Sequence, residues 1–331
     1  MNSFKALVAD KIDGKMGMSI KEMQIDDLTE GEVLIDVHYS SVNYKDGMVA
    51  SLGEIADEFP IIPGIDLAGE VIESSDDRFK KGDAVIATSY KIGTGIAGGF
   101  SQVARIPADW IVPLPDGLTL KESMELGTAG LTAGISIKKL ETVGMIPDNG
   151  PVLVAGATGG TGSLSVNMLA ASGYEVVAST GSTEEEGYLK SIGAAKVIHR
   201  DEVTNQDDKP VGKPEYQAAI DPVGGQTTEY IIKHIHPEGA LATFGLVAGI
   251  EVNTTVLPFI GRGIHWVGAD SVNYPMKLRK EVWERLASDL KPDILNKDVV
   301  NEVTLEELPQ VLHDIIEGKV KGRTIVNLKS Q

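Results

Sequence analysis

One stretch constrains this chain more than any other. The apolar run Val152-Leu153-Val154-Ala155 leads without a break into Gly156-Ala157-Thr158-Gly159-Gly160-Thr161-Gly162 and then into residues with helical spacing. A strand, a glycine-rich turn and a helix start in that order form a phosphate cradle: helix-start N–H groups point at the ligand and the glycines clear its approach. Gly159 lets backbone come close to a pyrophosphate, and Gly162 permits tight helix–strand packing. Ala157 stands where the usual GxGxxG pattern has its first glycine. Ala157, Thr158, Gly159, Gly160, Thr161 and Gly162 are therefore the candidate dinucleotide contacts.

The surroundings fit that reading. After the turn, strand and helix patterns alternate: a helix at 163–172, strands at 175–178 and 196–198 around a helix at 183–192, strands at 216–220 and 240–244 around a helix at 226–235. Repeated βαβ units predict a parallel, doubly wound α/β sheet. Before residue 120 the pattern is different. Residues 32–39 alternate Val33, Ile35, Val37 and Tyr39 with polar neighbours, the mark of a half-buried strand, and short strands at 69–73, 84–87 and 101–106 are spaced by Gly, Pro and Asp. These predict a small antiparallel barrel or partly open β domain. A helix at 121–140 links the two regions. A strand at 265–267, helices at 277–290 and 305–317 and a β-rich run at 323–328 follow them.

Composition excludes several chemistries. The chain of 331 residues has no cysteine, which removes disulfides, iron–sulfur clusters, thiolate zinc sites and thiol nucleophiles. Its six histidines fall in no metal-binding spacing; His234 and His236, followed by Pro237, read as a helix end. A formal charge of −18 argues against nucleic-acid and acidic-membrane partners. No apolar run is long enough to span a bilayer, and the N-terminus reads as a first strand rather than a signal peptide, so the expected location is the cytoplasm.

Coenzyme choice is read at the end of the second strand of the doubly wound region. NAD sites usually place an acid there, about twenty residues past the glycine motif. Here the strand ends Ser179-Thr180-Gly181-Ser182, with no acid at its tip, which tolerates a 2′-phosphate. No arginine stands nearby, and Glu184-Glu185-Glu186 add negative charge, although they also suit the first turn of a helix capped by Ser182 or Thr183. Lys190 is the nearest phosphate partner, with a solvated helix lysine as the alternative. The balance favours NADP(H) and leaves NAD(H) open.

Several further stretches carry a resemblance: Ser41-Val42-Asn43-Tyr44-Lys45-Asp46, Pro63-Gly64-Ile65-Asp66-Leu67-Ala68-Gly69, Gly127-Thr128-Ala129-Gly130-Leu131-Thr132-Ala133, Asp221-Pro222-Val223-Gly224-Gly225, Gly268-Ala269-Asp270-Ser271-Val272 and Gly322-Arg323-Thr324. Together with the glycine turn they resemble the medium-chain dehydrogenase/reductase superfamily, in its zinc-free YhdH/YhfP branch of quinone oxidoreductase-like proteins and acryloyl-CoA reductases. The resemblance implies a GroES-like β-rich catalytic domain at 1–122, a Rossmann-type domain at 123–262, and a segment at 263–331 that supplies a dimerisation strand and returns to the catalytic domain. It implies an NADPH-dependent reductase acting on the activated C=C of a short 2-enoyl thioester, or on a quinone or enone. The alternative is a non-catalytic NAD(P)H-binding sensor of the same superfamily.

Zinc members carry Gly-His-Glu where this chain reads Gly64-Ile65-Asp66, so the resemblance implies no zinc. It implies that Asn43, Tyr44 and Asp46 line the catalytic cleft, with Tyr44 a hydrogen-bond or proton donor to an enolate, or else a half-buried loop aromatic. Thr128, Thr132, Gly245, Leu246, Asp270, Ser271 and Val272 fit the nicotinamide half of the cofactor. Arg323 is read as a phosphate or carboxylate ligand, or as a surface ion pair. The strand at 265–268 is expected to pair with its mate in a homodimer. A short-chain dehydrogenase is rejected because none of the eight tyrosines has a lysine four residues later.

Overall fold

The computed structural model describes residues 3–204, 209–297 and 300–330. The chain forms two compact units. Unit 1 comprises Met1–Thr128, Val272–Ala287 and Leu295–Gln331; unit 2 comprises Ala129–Ser271 and Ser288–Ile294.

Unit 1 opens with a hairpin, β1 (Ser3–Ile12) and β2 (Lys15–Gln24), paired antiparallel from Ser3↔Gln24 to Ile12↔Lys15. Asp13 and Gly14 form its two-residue loop with φ of 51° and 77°, the positive angles that match strand twist. The chain continues through β3 (Val33–Ser41), the short helix α1 (Tyr44–Gly47), β4 (Asp66–Ser74), β5 (Ala84–Thr88), β6 (Val103–Ile106), β7 (Ile111–Pro113) and the helix α2 (Leu120–Thr142).

Unit 2 then runs β8 (Val152–Val154), α3 (Gly160–Ala171), β9 (Val176–Thr180), α4 (Glu186–Ser191), β10 (Lys196–His199), β11 (Tyr216–Asp221), α5 (Gly225–His234), β12 (Ile235–Thr243), α6 (Leu257–Arg262) and β13 (His265–Gly268). The chain ends in unit 1 with α7 (Met276–Leu286), β14 (Val300–Val303), α8 (Leu308–Ile316) and β15 (Arg323–Asn327).

The main sheet of unit 1 is ordered β14-β15-β3-β4-β5-β7, with β6 also on β3. All its pairings are antiparallel except β14 with β15. β3 is buried on both faces rather than one. Val33, Ile35 and Val37 enter one apolar cluster with Leu67, Val85 and Leu312, while Leu34 enters another with Phe4, Ile62 and Val103. Cover on the Leu34 side blunts the alternation its sequence suggested, while Asp36 and His38 stay only partly buried beside Ile35 and Val37.

The sheet of unit 2 is wholly parallel, ordered β10-β9-β8-β11-β12-β13. Counted from β8, that order is 3-2-1-4-5-6, the doubly wound arrangement with its switch point between β8 and β11. The strand expected at 265–267 is the sixth member, hydrogen-bonded to β12 on one side. The helix expected at 183–192 divides into a 3₁₀ turn (Thr183–Glu185) and α4. No helix among the described residues is long and apolar enough to cross a membrane.

Candidate active site

In unit 2 the candidate residues gather at the carboxyl ends of the parallel strands, where open α/β sheets take ligands. Gly159 caps α3 without any side-chain hydrogen bond, so the first-turn N–H groups of that helix keep their donors for a ligand. A Cβ on Gly162 would collide with Gly156 O and lie 2.8 Å from Ala157 Cα; only glycine fits there. Gly159 differs. An added Cβ there meets only Gly156 O, at 3.5 Å, so the protein itself leaves the space above it open. Ala157 N donates to Ser179 O (3.0 Å), which ties the turn to the end of β9.

Around the same edge, Asp221 closes the end of β11 by accepting from Val223 N (2.8 Å), Gly224 N (3.1 Å) and the Thr228 hydroxyl. Gly245, just after β12, presses on Pro222 so closely that a Cβ would strike Pro222 O, and Leu246 beside it is exposed. Asp270 and Ser271 follow β13. Thr132 is buried on α2, one turn beyond Thr128.

The tip of β9 holds a residue that sequence reasoning missed. Lys190 lies on α4 and pairs with Glu186 at 2.6 Å, and Ser182 Oγ bonds Glu184. Arg200 instead follows β10, whose register sets His199 beside Thr180. Its guanidinium lies over Gly181: a Cβ on that glycine would stand 3.0 Å from Nε and 3.1 Å from Cζ. Arg200 is exposed, with no ion pair among the described residues. An arginine does stand at the strand tip, brought there by the neighbouring strand.

In unit 1 the candidates converge on Asp66, which is fully buried. Its carboxylate accepts from Ser41 Oγ (2.6 Å), Asn43 Nδ2 (2.8 Å), Thr128 N (2.8 Å) and Thr128 Oγ1 (2.5 Å). Gly127 allows this approach. With φ 53° and ψ −154° it breaks α2, and a Cβ would lie against Ser41 Oγ, 2.6 Å from Asp66 Oδ2 and 2.9 Å from Arg323 Nη2. Asp66 was not foreseen as an organiser; the signal available was its place in the stretch where zinc members have their acid.

Arg323 is neither a phosphate ligand nor a surface ion pair. It is buried, and its guanidinium donates to Glu125 O (2.9 Å), Val42 O (3.1 Å), Met124 O (3.4 Å) and Asn43 Oδ1 (3.4 Å). Donors held on carbonyls inside the unit do not reach a ligand outside it, so Arg323 is a framework residue. Asn43 is held from both ends of its amide, by Asp66 and Arg323. Asp46, also fully buried, accepts from Asn43 N and Ile65 N, both at 2.8 Å. Only Tyr44, the first residue of α1, turns outward, at 50% exposure.

Burial, and then the negative charge of Asp66, push the Asp46 carboxyl up from near 3.8 to about 7. A folded pKa above the unfolded one means that the group's contribution to stability is full below about pH 4 and is lost as pH rises through about 7. Between pH 5 and 8 the loss is on the order of 3 kcal/mol. The thermal midpoint should therefore fall steadily from about pH 4 and level off near pH 7, and Asp46→Asn should flatten that fall; a calorimetric pH series that shows no difference between the two proteins would refute it.

The comparisons with known proteins follow this geometry. Residues 29–116 match the alcohol dehydrogenase GroES-like domain and residues 160–288 the zinc-binding dehydrogenase family. The Bacillus subtilis protein YhfP is 48% identical over 98% of this chain and 99% of its own length, and its crystal structure with NAD bound superposes with a TM-score of 0.96, covering 99% of this chain and 100% of that one. The chain belongs to the medium-chain dehydrogenase/reductase family. Within this family, the acrylyl-CoA reductase AcuI of Ruegeria pomeroyi is 41% identical over 99% of this chain and all of its own. The crystal structure of the YhdH oxidoreductase of Salmonella enterica with NADP has 40% identity and a TM-score of 0.95, over 98% of this chain and 100% of that one.

A dehydrogenase of this family raises the question of zinc, and the donor set here does not fit it. Position 65 is isoleucine, the chain has no cysteine, and Asp46 and Asp66 are filled by N–H and O–H donors. Among the described residues no three His, Asp or Glu side chains converge. A dinucleotide does fit: α3 offers uncapped donors above a glycine with open space.

Proposed function

We propose that this chain is an NADPH-dependent reductase that adds hydride to the activated C=C of a short 2-enoyl thioester of the acryloyl-CoA kind, and less readily to quinones or enones, without a metal. The observation that carries the reading is an intact glycine cradle in a chain that matches an acrylyl-CoA reductase over its full length. When bound, NADPH supplies the hydride that goes to the β-carbon of the alkene. The work of the protein is to hold the thioester carbonyl and to deliver a proton to the other carbon. Tyr44 is the donor: the residue is half exposed, between Asn43 and Asp46, which are tied to each other, so its hydroxyl can hydrogen-bond the enolate oxygen and then give its proton to the α-carbon. Asn43 and Asp46 position Tyr44 rather than touch the substrate. Thr128, Thr132, Gly245, Leu246, Asp270, Ser271 and Val272 are the proposed contacts of the nicotinamide half, and residues 157–162 hold the diphosphate.

Steady-state kinetics with NADPH test this. Acryloyl-CoA should give a higher kcat/KM than simple quinones; a tenfold preference for quinones would overturn the substrate class, and NADPH binding without turnover of any activated alkene would leave the sensor reading. Tyr44→Phe should lower kcat by about 10² with NADPH affinity unchanged, the range of one general-acid contribution. An unaltered kcat removes Tyr44 from the mechanism.

The 2′-phosphate falls to Arg200, and Ser179, Thr180, Gly181 and Ser182 form the strand tip beside it. A guanidinium–phosphate contact contributes about 1.5–3 kcal/mol. Arg200→Ala should thus raise the KM for NADPH by tenfold or more and leave that for NADH within twofold. Equal effects on both coenzymes would exclude the contact.

The oligomer proposed is a homodimer. β13 ends its sheet with one side unpaired among the described residues, and Trp266 on it is exposed, as are Val247, Ile250 and Ile260. An open strand edge beside apolar surface suits a second copy. Sedimentation equilibrium that returned a monomer at micromolar concentration would dispose of this.

A further inference from the structure

The turn that leads into β8 takes no part in the reductase chemistry, yet it has a chemistry of its own. Pro147–Asn149 make one 3₁₀ turn, and Gly150 closes it with φ 107°, an angle that favours glycine. A Cβ on Gly150 would stand 3.0 Å from His236 Cε1, so the surroundings ask for glycine as well. One side chain fastens both ends of this turn. Gln217, buried on β11, accepts from Ile146 N at 3.2 Å and donates from Nε2 to Gly150 O at 2.5 Å. Its own backbone N–H donates to Pro151 O at 3.0 Å, so the approach to β8 depends on this residue.

Between the fastened ends, Asn149 is unsupported. It is exposed, and its side-chain amide makes no hydrogen bond among the described residues. The N–H of Gly150 donates to no group among them either. Asn149-Gly150 is also the only Asn-Gly pair in the sequence. Asparagine is a thermolabile residue, and it is most labile before glycine, where no side chain hinders the next backbone nitrogen from reaching the amide carbon.

We propose that Asn149 is a modification site, whose spontaneous conversion to isoaspartate unfastens the entrance to β8. The Gly150 nitrogen attacks Asn149 Cγ. The Cγ–Nδ2 bond breaks, the Gly150 N–H proton passes through water to Nδ2, and ammonia leaves behind a cyclic imide. Water then opens the imide, and nothing is oxidised or reduced. Attack at Cγ gives aspartate on an unaltered main chain. Attack at the Asn149 carbonyl carbon gives isoaspartate, whose main chain runs through Cβ and Cγ. The chain is then one carbon longer between the two groups that Gln217 holds, so Ile146 N and Gly150 O no longer both fit one side chain. No such lengthening accompanies aspartate.

The experiment ages full-length wild type, Asn149→Gln and Asn149→Asp in warm, mildly alkaline buffer, beside a free peptide of residues 147–151. Mass mapping should show the wild-type segment that contains residue 149 gaining one mass unit and separating into two isomers. Asn149→Gln should keep its mass, because its longer side chain closes a ring far more slowly. Anion exchange should isolate an isoaspartyl fraction with a thermal midpoint about 2–4 °C below that of fresh protein, the loss of about one net hydrogen bond. Fresh Asn149→Asp, with the same added charge on an unaltered main chain, should unfold with fresh wild type. An Asn149 still intact when the free peptide has converted would overturn the proposal. So would an isoaspartyl fraction that unfolds with fresh protein, or an Asn149→Asp midpoint as low as that of the isoaspartyl fraction, since charge alone would then account for the loss.

Discussion

Gly159→Ala is expected to abolish tight NADP(H) binding while the protein loses no more than about 1 kcal/mol of stability. Its φ is −74°, an angle alanine adopts without strain, and the new methyl would meet no protein atom closer than 3.5 Å. Alanine is a poorer N-cap than glycine, so a stability loss of about 0.5–1 kcal/mol is expected. The methyl would, however, fill the space left for the diphosphate, and affinity should fall by about 10² or more. Gly162→Ala should behave differently, because its methyl collides with Gly156 O and Ala157 Cα. Overpacking of that kind costs about 1–3 kcal/mol, so Gly162→Ala should lose stability and affinity together. Fluorescence titration with NADPH and urea unfolding separate the two. A Gly159→Ala protein that binds NADPH as wild type does would remove the cradle from the argument.

Asp66→Ala should be the most damaging change in unit 1. It leaves Ser41 Oγ, Asn43 Nδ2, Thr128 N and Thr128 Oγ1 without their acceptor, inside a fully buried site. It also takes away the carboxylate that does most to favour the charge of Arg323, a guanidinium that burial already pulls below its ordinary pKa. Orphaning buried donors costs about 1–3 kcal/mol each, without full additivity, and uncovering a buried charge adds to that. A loss of about 3–5 kcal/mol is expected, with kcat/KM down by at least 10². Asp66→Asn, which keeps the shape and one acceptor, should fall between it and wild type. Chemical denaturation showing less than 1 kcal/mol for Asp66→Ala would mean that the convergence on Asp66 is not what holds this site.

The parts of the molecule that were legible in the sequence are those governed by local periodicity. The glycine turn, the alternation from β8 to β12 and the helix pattern at 121–140 each repeat a signal within a few residues. What escaped was set by partners distant in the chain. Arg200 reaches Gly181 only because β10 lies parallel to β9, a register that neither strand announces alone. The two-sided burial of β3 depends on cover from both Leu312 and Phe4. Arg323 reads as a basic residue at the start of a strand, and its burial depends on carbonyls at 42, 124 and 125. The hairpin β1–β2 is a different case. Asp13-Gly14 between apolar-alternating runs is a local turn signal that was there to be used.

Unit 1 draws on three separate stretches of chain, and the last of them contains Arg323. During vectorial synthesis, the segment bearing Asn43, Asp46 and Asp66 leaves the ribosome long before β15 exists. Until then β3 lacks one neighbour, and the carbonyls of Val42, Met124 and Glu125 lack their donor. Unit 2 has its main run, Ala129–Ser271, complete by that time. Newly made protein would therefore acquire the fold of its dinucleotide half first, and the active-site framework would close only with the arrival of the final strand.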